Sequence, residues 1–451
     1  RCARAGRGRE CSRRSAPPPA KNTPAAPATS YASSSTGGGC DVLTMTDLFC
    51  GAGGSSTGAV AIPGIEVRVA SNHWDLAIET HNTNHPETDH VCADISQIDP
   101  RLFPRTDLLW ASPECTNHSI AKGRRRADRQ PDLFGEVLPD DAAERSRATM
   151  WDVPRFAEAH RYEAVIVENV VDAYFWEPFR AWLIAMDSLG YDHDIVFLNS
   201  MHAQAFGPGA PQSRDRMYVV FWRKGNQRPD VDRVTSPAAV CPEHGEVRAR
   251  QAFKRPDRRW GRYRQQYVYM CSSAGCARVV EPVFRPAAEI IDWELRGQRI
   301  GDRARPLAEK TLARIKAGIE RYWGPFITEH RHEYRVRDIG RPMQTVTASG
   351  NHFGLVTTYY GNGSTKPVWQ ALDTVTTVER HALLNNPQPD IDDVLFRMLE
   401  PHEISRAMDF PHDYVILGNR RERVRQAGNA VTPPAARDLV GVVAESLGVS
   451  A

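Results

Sequence analysis

Short apolar segments alternate with polar or amphipathic segments from residue 42 to residue 220, and this alternation constrains the fold more than any other feature of the chain. The apolar segments have the length and the Val, Ile and Leu content of buried strands, and they lie at residues 43–48, 66–71, 107–110, 164–167, 194–198 and 217–222. Two of the intervening segments, 75–81 and 179–189, have the pattern of helices. Strands that alternate with helices predict an α/β fold built on a doubly wound sheet of parallel strands.

Changes in composition divide the chain into four regions. Residues 1–41 are rich in Arg, Ala, Pro, Ser and Gly, so we expect a disordered leader that precedes a native start at Met45. Residues 42–223 form the predicted α/β domain, and residues 224–384 lack its alternation, which indicates a smaller, irregular domain. Residues 385–451 are expected to return to the first domain as helices, with amphipathic segments at 394–395, 398–399 and 440–443.

Because positive and negative charges nearly balance over the whole chain, any surface that binds nucleic acid is expected in local clusters of basic residues. The chain has 57 Lys and Arg residues against 55 Asp and Glu residues, so its net charge does not indicate a polyanionic partner. Arginines cluster at residues 124–126 and again at 248–264, where they form either a nucleic-acid contact or a solvated face. Nine cysteines without regular spacing fit a reducing compartment, and no apolar run is long enough to span a membrane.

A glycine-rich turn follows the first predicted strand at residues 47–54, whose sequence is Asp-Leu-Phe-Cys-Gly-Ala-Gly-Gly. Glycines let a backbone approach a ligand closely, so Phe49, Gly51, Gly53 and Gly54 are candidate cofactor residues. The turn lacks the Gly-x-Gly-x-x-Gly spacing of a dinucleotide site and fits a nucleoside that carries a carboxylate better than a pyrophosphate. A purely structural turn is the alternative.

Polar and aromatic residues follow the next two predicted elements and extend this candidate site. Trp74 offers a flat face for an adenine, with His73 beside it, where a ribose and base edge are expected. Asp94 can accept a hydrogen bond from an exocyclic amine, and the apolar Ile95 can cover the ring. Each residue taken alone is equally consistent with ordinary packing or solvent exposure.

Four further residues suggest chemistry at the ends of predicted strands. Cys115 follows the strand at 107–110, and on such a loop its thiolate can be a nucleophile, although an inert buried cysteine is the alternative. Glu168 ends the strand at 164–167, at the edge where parallel sheets gather reactive groups. Alternation points Arg214 and Arg216 to one side, so both are expected to reach one site unless they merely pair with Asp215 in solvent.

Two pairs of potential metal ligands flank the second arginine cluster. Cys241 and His244 form the first pair, and Cys271 and Cys276 form the second. Two such pairs joined by a long loop can bind zinc tetrahedrally, and free cysteines are the alternative.

The motifs, taken in order, resemble those of the DNA cytosine-5 methyltransferase family from Met45 to Ala451, apart from most of the arginine-rich insert. Residues 47–54 look like the family's cofactor motif, and Cys115 occupies the nucleophile position. The remaining matches are Glu168-Asn169-Val170 with the motif that supplies the acid, Gln212-x-Arg214-x-Arg216 with the paired-arginine motif, and the segment 428–434, which contains Asn429, with the last motif.

The resemblance implies a Rossmann-like sheet that binds S-adenosylmethionine and a smaller target-recognition domain at 224–384. In that family the thiolate, here Cys115, adds to carbon 6 of a flipped-out cytosine, Glu168 stabilises ring nitrogen 3, and Arg216 holds the ring oxygen. Arg214 would support the loop or a phosphate. The double-stranded DNA would be contacted by the arginines of the two clusters, namely Arg124, Arg125, Arg258, Arg259 and Arg262.

The chain departs from the family pattern at Glu114, which places a carboxylate next to the thiol, at His73, where a glutamate is usual, and at Thr116-Asn117. The altered pocket leaves transfer of a modified group open, beside plain methyl transfer. An RNA cytosine methyltransferase and a catalytically silent DNA-binding protein also fit these motifs. We expect a monomer in a prokaryotic or phage setting, in the cytoplasm with the nucleoid, with a restriction endonuclease as possible partner.

Overall fold

The computed structural model describes residues 42–113, 149–321, 326–329, 335–346, 353–358 and 390–450. The expected leader at 1–41 lies outside these ranges, as do Glu114, Cys115, Arg124 and Arg125.

The central sheet has seven strands in the order β3-β2-β1-β4-β5-β8-β6. They are β1 (Leu43–Leu48), β2 (Ile65–Asn72), β3 (Asp89–Cys92), β4 (Leu108–Ala111), β5 (Ala164–Asn169), β6 (Tyr191–Asn199) and β8 (Asp215–Arg223). The six predicted strands are confirmed, whereas β3 was not predicted because its sequence, Asp-His-Val-Cys, has little apolar character. Every pairing is parallel except that β8 runs antiparallel to both β5 and β6. No α-helix separates β6 from β8, so the chain turns back without the crossover that a parallel pairing requires.

Helices cover both faces of this sheet. They are α1 (Gly54–Val60), α2 (Asp75–Asn84), α3 (Asp152–His160) and α4 (Phe179–Ser188), so both predicted helices are confirmed. In β4, Leu108 and Trp110 lie in the cluster that contains Leu439, and Leu109 lies in the opposite cluster with Trp182. This two-residue period is the reason why a strand buried on both faces reads as a continuous apolar segment.

The segment after Arg223 contains regular structure, so the expectation of an irregular region is wrong there. After the short helix α5 (Val231–Val234), a four-stranded antiparallel sheet has the order β12-β11-β10-β9. Its strands are β9 (Ala238–Cys241), β10 (Gly245–Phe253), β11 (Tyr267–Cys271) and β12 (Val279–Val280). Exposed Arg248 and Arg250 alternate with buried Ala249 along β10. The strand was not predicted because it lies in a segment rich in charged residues.

A five-stranded sheet in the order β13-β18-β17-β14-β15 follows. Its strands are β13 (Gln298–Arg299), β14 (Phe326–Glu329), β15 (Arg335–Asp338), β17 (Phe353–Thr358) and β18 (Val394–Met398), and the helix α6 (Glu309–Arg321) precedes β14. The helix expected at 394–399 is wrong, because β18 pairs with β17 over its whole length. Pairing with a distant strand overrides the local pattern in so short an apolar segment.

The chain ends in helices, one of which includes residues 440–443, and Leu439 of that helix shares a cluster with Leu108 and Trp110 of β4. These helices are α7 (Pro401–Ala407), α8 (Arg420–Asn429) and α9 (Pro433–Ser446). Two short strands, β7 (Gln212–Ser213) and β16 (Met343–Gln344), pair in parallel and join the end of the central domain to the later region. Among the described helices, none combines the length and apolar character that crossing a membrane requires. The domain boundaries at residues 223 and 384 stay predictions.

Candidate active site

The glycine turn packs directly against the last motif of the chain. Phe49 and Gly53 have positive φ angles of 61° and 88°, so the backbone turns sharply between β1 and α1. A Cβ atom on Gly54 would lie 1.9 Å from the carbonyl oxygen of Val431, and one on Gly53 would lie 2.4 Å from the hydroxyl of Tyr414. The last motif therefore excludes a side chain at Gly54, and the Tyr414 hydroxyl crowds one at Gly53.

Asp47 is a buried carboxylate that the sequence did not single out. The hydroxyls of Ser55 and Ser56 each donate to its Oδ2 at 2.6 Å. Burial raises the pKa of Asp47 to about 6, against the opposing effect of these hydrogen bonds. Its Oδ1 is buried and has no hydrogen-bond partner among the described residues. Its place at the end of β1, inside the glycine motif, was the available signal.

A hydrogen-bonded chain links Asp47 to the surface of the central domain. Because Ser56 donates to Asp47, its hydroxyl accepts from Nε2 of His81 at 2.9 Å. Nδ1 of His81 then accepts from Nε2 of His90 at 2.8 Å, which defines one neutral tautomer for His81. Burial lowers the pKa of His81 well below its usual value, in agreement with that tautomer. This series of hydrogen bonds holds the first turn of α1 against α2.

The remaining candidate cofactor residues lie near the carboxyl ends of β2 and β3. Trp74 is partly exposed, and the guanidinium of Arg425 lies 4.5 Å from the centre of its ring. Asp94 is exposed and accepts from the amide and hydroxyl of Ser96, and the hydroxyl bond is the main reason why its pKa is lowered. His73 is exposed, whereas Ile95 is buried in the core.

An aromatic ring and an exposed carboxylate at this edge fit the adenine and polar groups of an adenosine-bearing cofactor. Asn429, which ends α8, is also exposed and lies two residues before the Val431 carbonyl that contacts the glycine turn. The assignment of these residues to the cofactor stays a prediction.

Glu168 and Arg216 form an ion pair at the end of β5. Nε of Arg216 lies 2.8 Å from Oε1 of Glu168, and the two side chains are 14% and 12% exposed. The antiparallel pairing of β5 with β8 places the start of β8 beside the end of β5, so the two side chains meet. Asn169 also donates to the carbonyl of Pro113 at 3.4 Å. Pro113, which closely follows β4, therefore lies against the residue next to Glu168 in the chain.

Arg214 has different contacts from Arg216, so the expectation that both arginines reach one site is wrong. Its guanidinium donates to the carbonyls of Val346 at 2.9 Å, Gly428 at 3.2 Å and Ala430 at 3.0 Å, and the residue is only 3% exposed. Arg214 lies between β7 and β8, where strand alternation does not apply. Arg214 therefore supports the last motif, and the role in support of a loop or a phosphate stays a prediction.

A role for Asp215 as a solvent-exposed partner of these arginines is also excluded. Its carboxylate accepts from the amide of Tyr263 at 3.0 Å, and burial raises its pKa to about 6. This hydrogen bond joins the start of β8 to the arginine-rich segment.

The arginines predicted to contact DNA differ in their surroundings. Arg258 and Arg259 are exposed, and their guanidinium groups lie over aromatic rings, 4.9 Å from Phe175 and 5.9 Å from Phe253 respectively. Arg262 pairs with Asp172 at 2.6 Å, with both side chains largely buried. That pairing occupies Arg262 within the protein, and a DNA contact by any of the three stays a prediction.

The four potential metal ligands converge in the second sheet. The ligand atoms of Cys241, His244, Cys271 and Cys276 all lie within 4.8 Å of one another. Nδ1 of His244 is 3.5 Å from the sulfur of Cys241 and 3.7 Å from that of Cys271. Zn–S bonds of about 2.3 Å and Zn–N bonds of about 2.0 Å give tetrahedral edges of about 3.5 Å between sulfur and nitrogen and about 3.8 Å between two sulfurs. The two distances from His244 are close to the first of these values.

The sheet, the glycine turn and the last motif that packs on it define a Rossmann-like fold of the S-adenosylmethionine-dependent methyltransferase class. The sequence profile of the C-5 cytosine-specific DNA methylase family matches residues 43–445, so the chain belongs to that family. A solved structure of a Spodoptera frugiperda DNMT2 mutant shares the fold, with a TM-score of 0.50, 14% identity, and coverage of 89% of this chain and 99% of that one.

Two similar relatives are type II methyltransferases. M.AgeI of Thalassovita gelatinovora is 29% identical over 42% of this chain and 41% of its own length. M.BsuFI of Bacillus subtilis is 31% identical over 40% of this chain and 39% of its own length. The matched part thus spans about two fifths of these relatives.

Proposed function

We propose that the protein transfers the methyl group of S-adenosylmethionine to carbon 5 of a flipped-out cytosine in double-stranded DNA. The observation that carries this proposal is the Glu168–Arg216 ion pair, in a chain of the C-5 cytosine-specific DNA methylase family. The neighbouring Asn169 contacts Pro113, which precedes Cys115 by two positions in the chain. A carboxyl group beside a guanidinium suits the edge of cytosine that carries nitrogen 3 and oxygen 2. The carboxyl group can donate a proton to nitrogen 3, and the guanidinium can donate hydrogen bonds to oxygen 2.

The cytosine reacts through a covalent intermediate on Cys115. The thiolate adds to carbon 6, and the displaced electron pair is stabilised by proton donation from Glu168 at nitrogen 3 and by Arg216 at oxygen 2. S-adenosylmethionine, when bound, would supply the electrophilic methyl group to carbon 5, its sulfur leaving as a neutral thioether. Loss of the carbon-5 proton to a base then expels the thiolate, the nitrogen-3 proton returns to Glu168, and the aromatic ring is restored. The target base must leave the duplex, because carbon 6 is unreachable within the stack.

Buried and exposed groups at the carboxyl edge of the sheet would hold the cofactor. Trp74 would stack on the adenine, and the exposed Asp94 would accept from its amine. The backbone of Phe49, Gly51, Gly53 and Gly54 would line the methionine part, and Asn429 would close the site from the last motif. His73 stands near Asp94, whose ionised form it favours.

Covalent trapping tests this function. A mixed-sequence duplex pool that contains 5-fluorocytosine, incubated with the protein and S-adenosylmethionine, should yield an adduct that survives denaturation. Fluorine cannot leave as a proton does, so the thiolate is not expelled. Cys115→Ser should abolish the adduct while leaving the fold intact. Absence of any adduct with the unaltered protein would favour a catalytically silent DNA-binding protein.

The same assay distinguishes DNA from RNA as substrate and identifies the transferred group. An adduct formed with a 5-fluorocytosine RNA pool, and not with the DNA pool, would identify an RNA cytosine methyltransferase. The mass of the modified nucleoside from the DNA reaction would show whether the transferred group is a plain methyl. We expect 5-methylcytosine.

We infer that Cys241, His244, Cys271 and Cys276 bind a structural zinc ion. Their convergence from two segments separated by β10 supports a closed four-ligand site. The ion would join β9 to the end of β11 and so stabilise the sheet that carries the arginine-rich segment. No water or substrate position is needed in this role.

We also propose a prokaryotic or phage setting, in which the protein acts as a monomer on DNA in the cytoplasm, with the nucleoid. The two relatives described above are named type II methyltransferases, which favours a cognate restriction endonuclease as partner. Sequencing of methylated cytosines in DNA from cells that express the protein would reveal the target sequence. Resistance of that DNA to an endonuclease of the same specificity would support the partner.

A further inference from the structure

Three side chains form an exposed aromatic and cationic surface beside the candidate site. Phe175 is 48% exposed, and the centre of its ring lies 4.6 Å from that of the Trp260 ring. The guanidinium of Arg258 lies 4.9 Å from the Phe175 ring and 5.4 Å from the Trp260 ring. We call Phe175, Arg258 and Trp260 the aromatic platform.

The platform is held in place by contacts from both of its parent segments. Nε1 of Trp260 donates to the carbonyl of Val171 at 3.1 Å. The partly buried Arg262–Asp172 ion pair, at 2.6 Å, makes a second link between the same segments. Two links so close to the rings hold the platform at a defined position, so a partner would meet a preformed surface.

The position of the platform relates it to the reaction. Phe175 ends the short helical segment Val171–Phe175, which follows Glu168-Asn169-Val170 at the carboxyl end of β5. Tyr263, three residues after Trp260, donates its amide proton to Asp215, which precedes Arg216. The platform therefore belongs to the same edge of the sheet as the Glu168–Arg216 pair.

The charge around the platform indicates the kind of partner. The segment that carries Arg258 and Trp260 also exposes Lys254, Arg255, Arg259 and Arg264. Positive side chains favour a polyanion, and an exposed aromatic ring with a guanidinium beside it favours the flat face of a nucleobase. A phosphate alone would not require the exposed phenyl ring.

We propose that the aromatic platform stacks on a DNA base whose face is exposed by local unpairing of the duplex. This inference rests on the proposed function, because removal of the target cytosine from the duplex is what would expose such a face. It extends that function by assigning Phe175, Arg258 and Trp260 to binding of the opened DNA, where they act apart from the chemistry on the cytosine ring.

Binding measurements on the full chain test the platform. The probes are a fluorescent single-stranded oligonucleotide of mixed sequence and the same strand in a paired duplex, measured by anisotropy. Phe175→Ala should weaken binding of the single strand about tenfold, the order expected for one base–aromatic stack, and should affect the duplex less. Phe175→Trp should retain the affinity. Unchanged single-strand affinity of Phe175→Ala would overturn the proposal.

The chain offers a matched control for charge. Arg255 lies in the same segment as Arg258 and pairs with Asp257 at 3.1 Å, with its side chain 71% exposed. Arg258→Ala and Arg255→Ala remove the same charge, so a general electrostatic effect would weaken single-strand binding equally. We expect a loss several times larger for Arg258→Ala. Equal losses would contradict the platform.

Photocrosslinking gives a direct readout that is independent of methyl transfer. A single strand that carries 5-bromouracil should crosslink, on irradiation, to peptides that contain Phe175 or Trp260. Crosslinks only elsewhere would refute the platform, while a 5-fluorocytosine adduct in the same preparation would leave the proposed function standing. Phe175-dependent binding that is tighter for single-stranded RNA would assign the platform to RNA and overturn the DNA proposal.

Discussion

Nε of Arg216 lies 2.8 Å from Oε1 of Glu168, and this pair joins the two motifs that the proposed chemistry requires. The residues are 48 positions apart in the chain and meet because β8 runs antiparallel to β5. In the protein without substrate, the guanidinium of Arg216 is a hydrogen-bonding and charge partner for the carboxylate of Glu168. When cytosine enters, its nitrogen 3 and oxygen 2 would share these partners, so little polar surface would need to be newly desolvated.

Glu168→Gln is expected to lower kcat for methyl transfer by about 10²–10⁴-fold, because an amide cannot donate a full proton to nitrogen 3. The measurement is transfer of labelled methyl from S-adenosylmethionine to DNA, with DNA affinity determined in parallel. The matched control is Glu163→Gln, which breaks the Glu163–Arg223 pair at the other end of β8, where both side chains are more exposed. Equal activities of the two variants would argue against an acid role for Glu168.

Gly54→Ala is expected to abolish stable folding or to cost more than about 3 kcal/mol of unfolding free energy, because its Cβ would lie 1.9 Å from the Val431 carbonyl oxygen. Gly51→Ala is the control, since nothing lies within 4 Å of a Cβ there and only its φ of 54° is unfavourable. That substitution should cost about 1–2 kcal/mol. Urea unfolding of both variants checks the difference, and similar losses would contradict the close approach of the two motifs.

The buried carboxyl of Asp47 is expected to make stability depend on pH. Its pKa is about 6 in the folded protein and near the ordinary value of 3.8 when unfolded, so the folded state binds the proton more tightly. The stabilising contribution is therefore fully present below about pH 4 and is lost as pH rises through 6. Asp47→Asn removes this dependence. The variant should gain about 2 kcal/mol relative to the unaltered protein between pH 4 and pH 7.

Urea unfolding of the two proteins at pH 4, 5, 6 and 7 measures this gain. The quantity compared is the change with pH of the difference in unfolding free energy between the two proteins. Any cost of the substitution that does not depend on pH therefore cancels. Asp99→Asn serves as a control, because its exposed carboxylate pairs with Arg101 and has a pKa lowered to about 2. A difference between Asp47→Asn and the unaltered protein that does not vary with pH would exclude a raised pKa at Asp47.

The zinc proposal predicts one equivalent of zinc per chain in protein purified without chelator, measured by atomic emission. Cys276→Ser should lose most of the metal and lower the melting temperature, because β9 and β11 lose their shared ion. Cys92→Ser is the control, since Cys92 is exposed and lies outside the cluster. Full zinc content in Cys276→Ser, or none in the unaltered protein, would contradict a four-ligand site.

Local patterns predicted most of the central domain. The strands β1, β2, β4, β5, β6 and β8 follow from apolar segments that are buried on both faces, and the glycine turn follows from residues 47–54 alone. The spacing of Cys241, His244, Cys271 and Cys276 also predicted a ligand cluster, because each pair lies within one turn. The predictions failed for β18, where a short apolar segment has no pattern that separates a strand from a helix.

The sequence by itself determined the α/β domain, the glycine turn, the ligand pairs and the order of the family motifs, because each depends on residues close together in the chain. Only the tertiary structure decided the partners of the charged groups. It paired Arg216 with Glu168, turned Arg214 toward the carbonyls of the last motif, and joined Arg262 to Asp172. Such choices depend on strand direction and register between distant segments, and a guanidinium binds whichever oxygen the fold brings within reach.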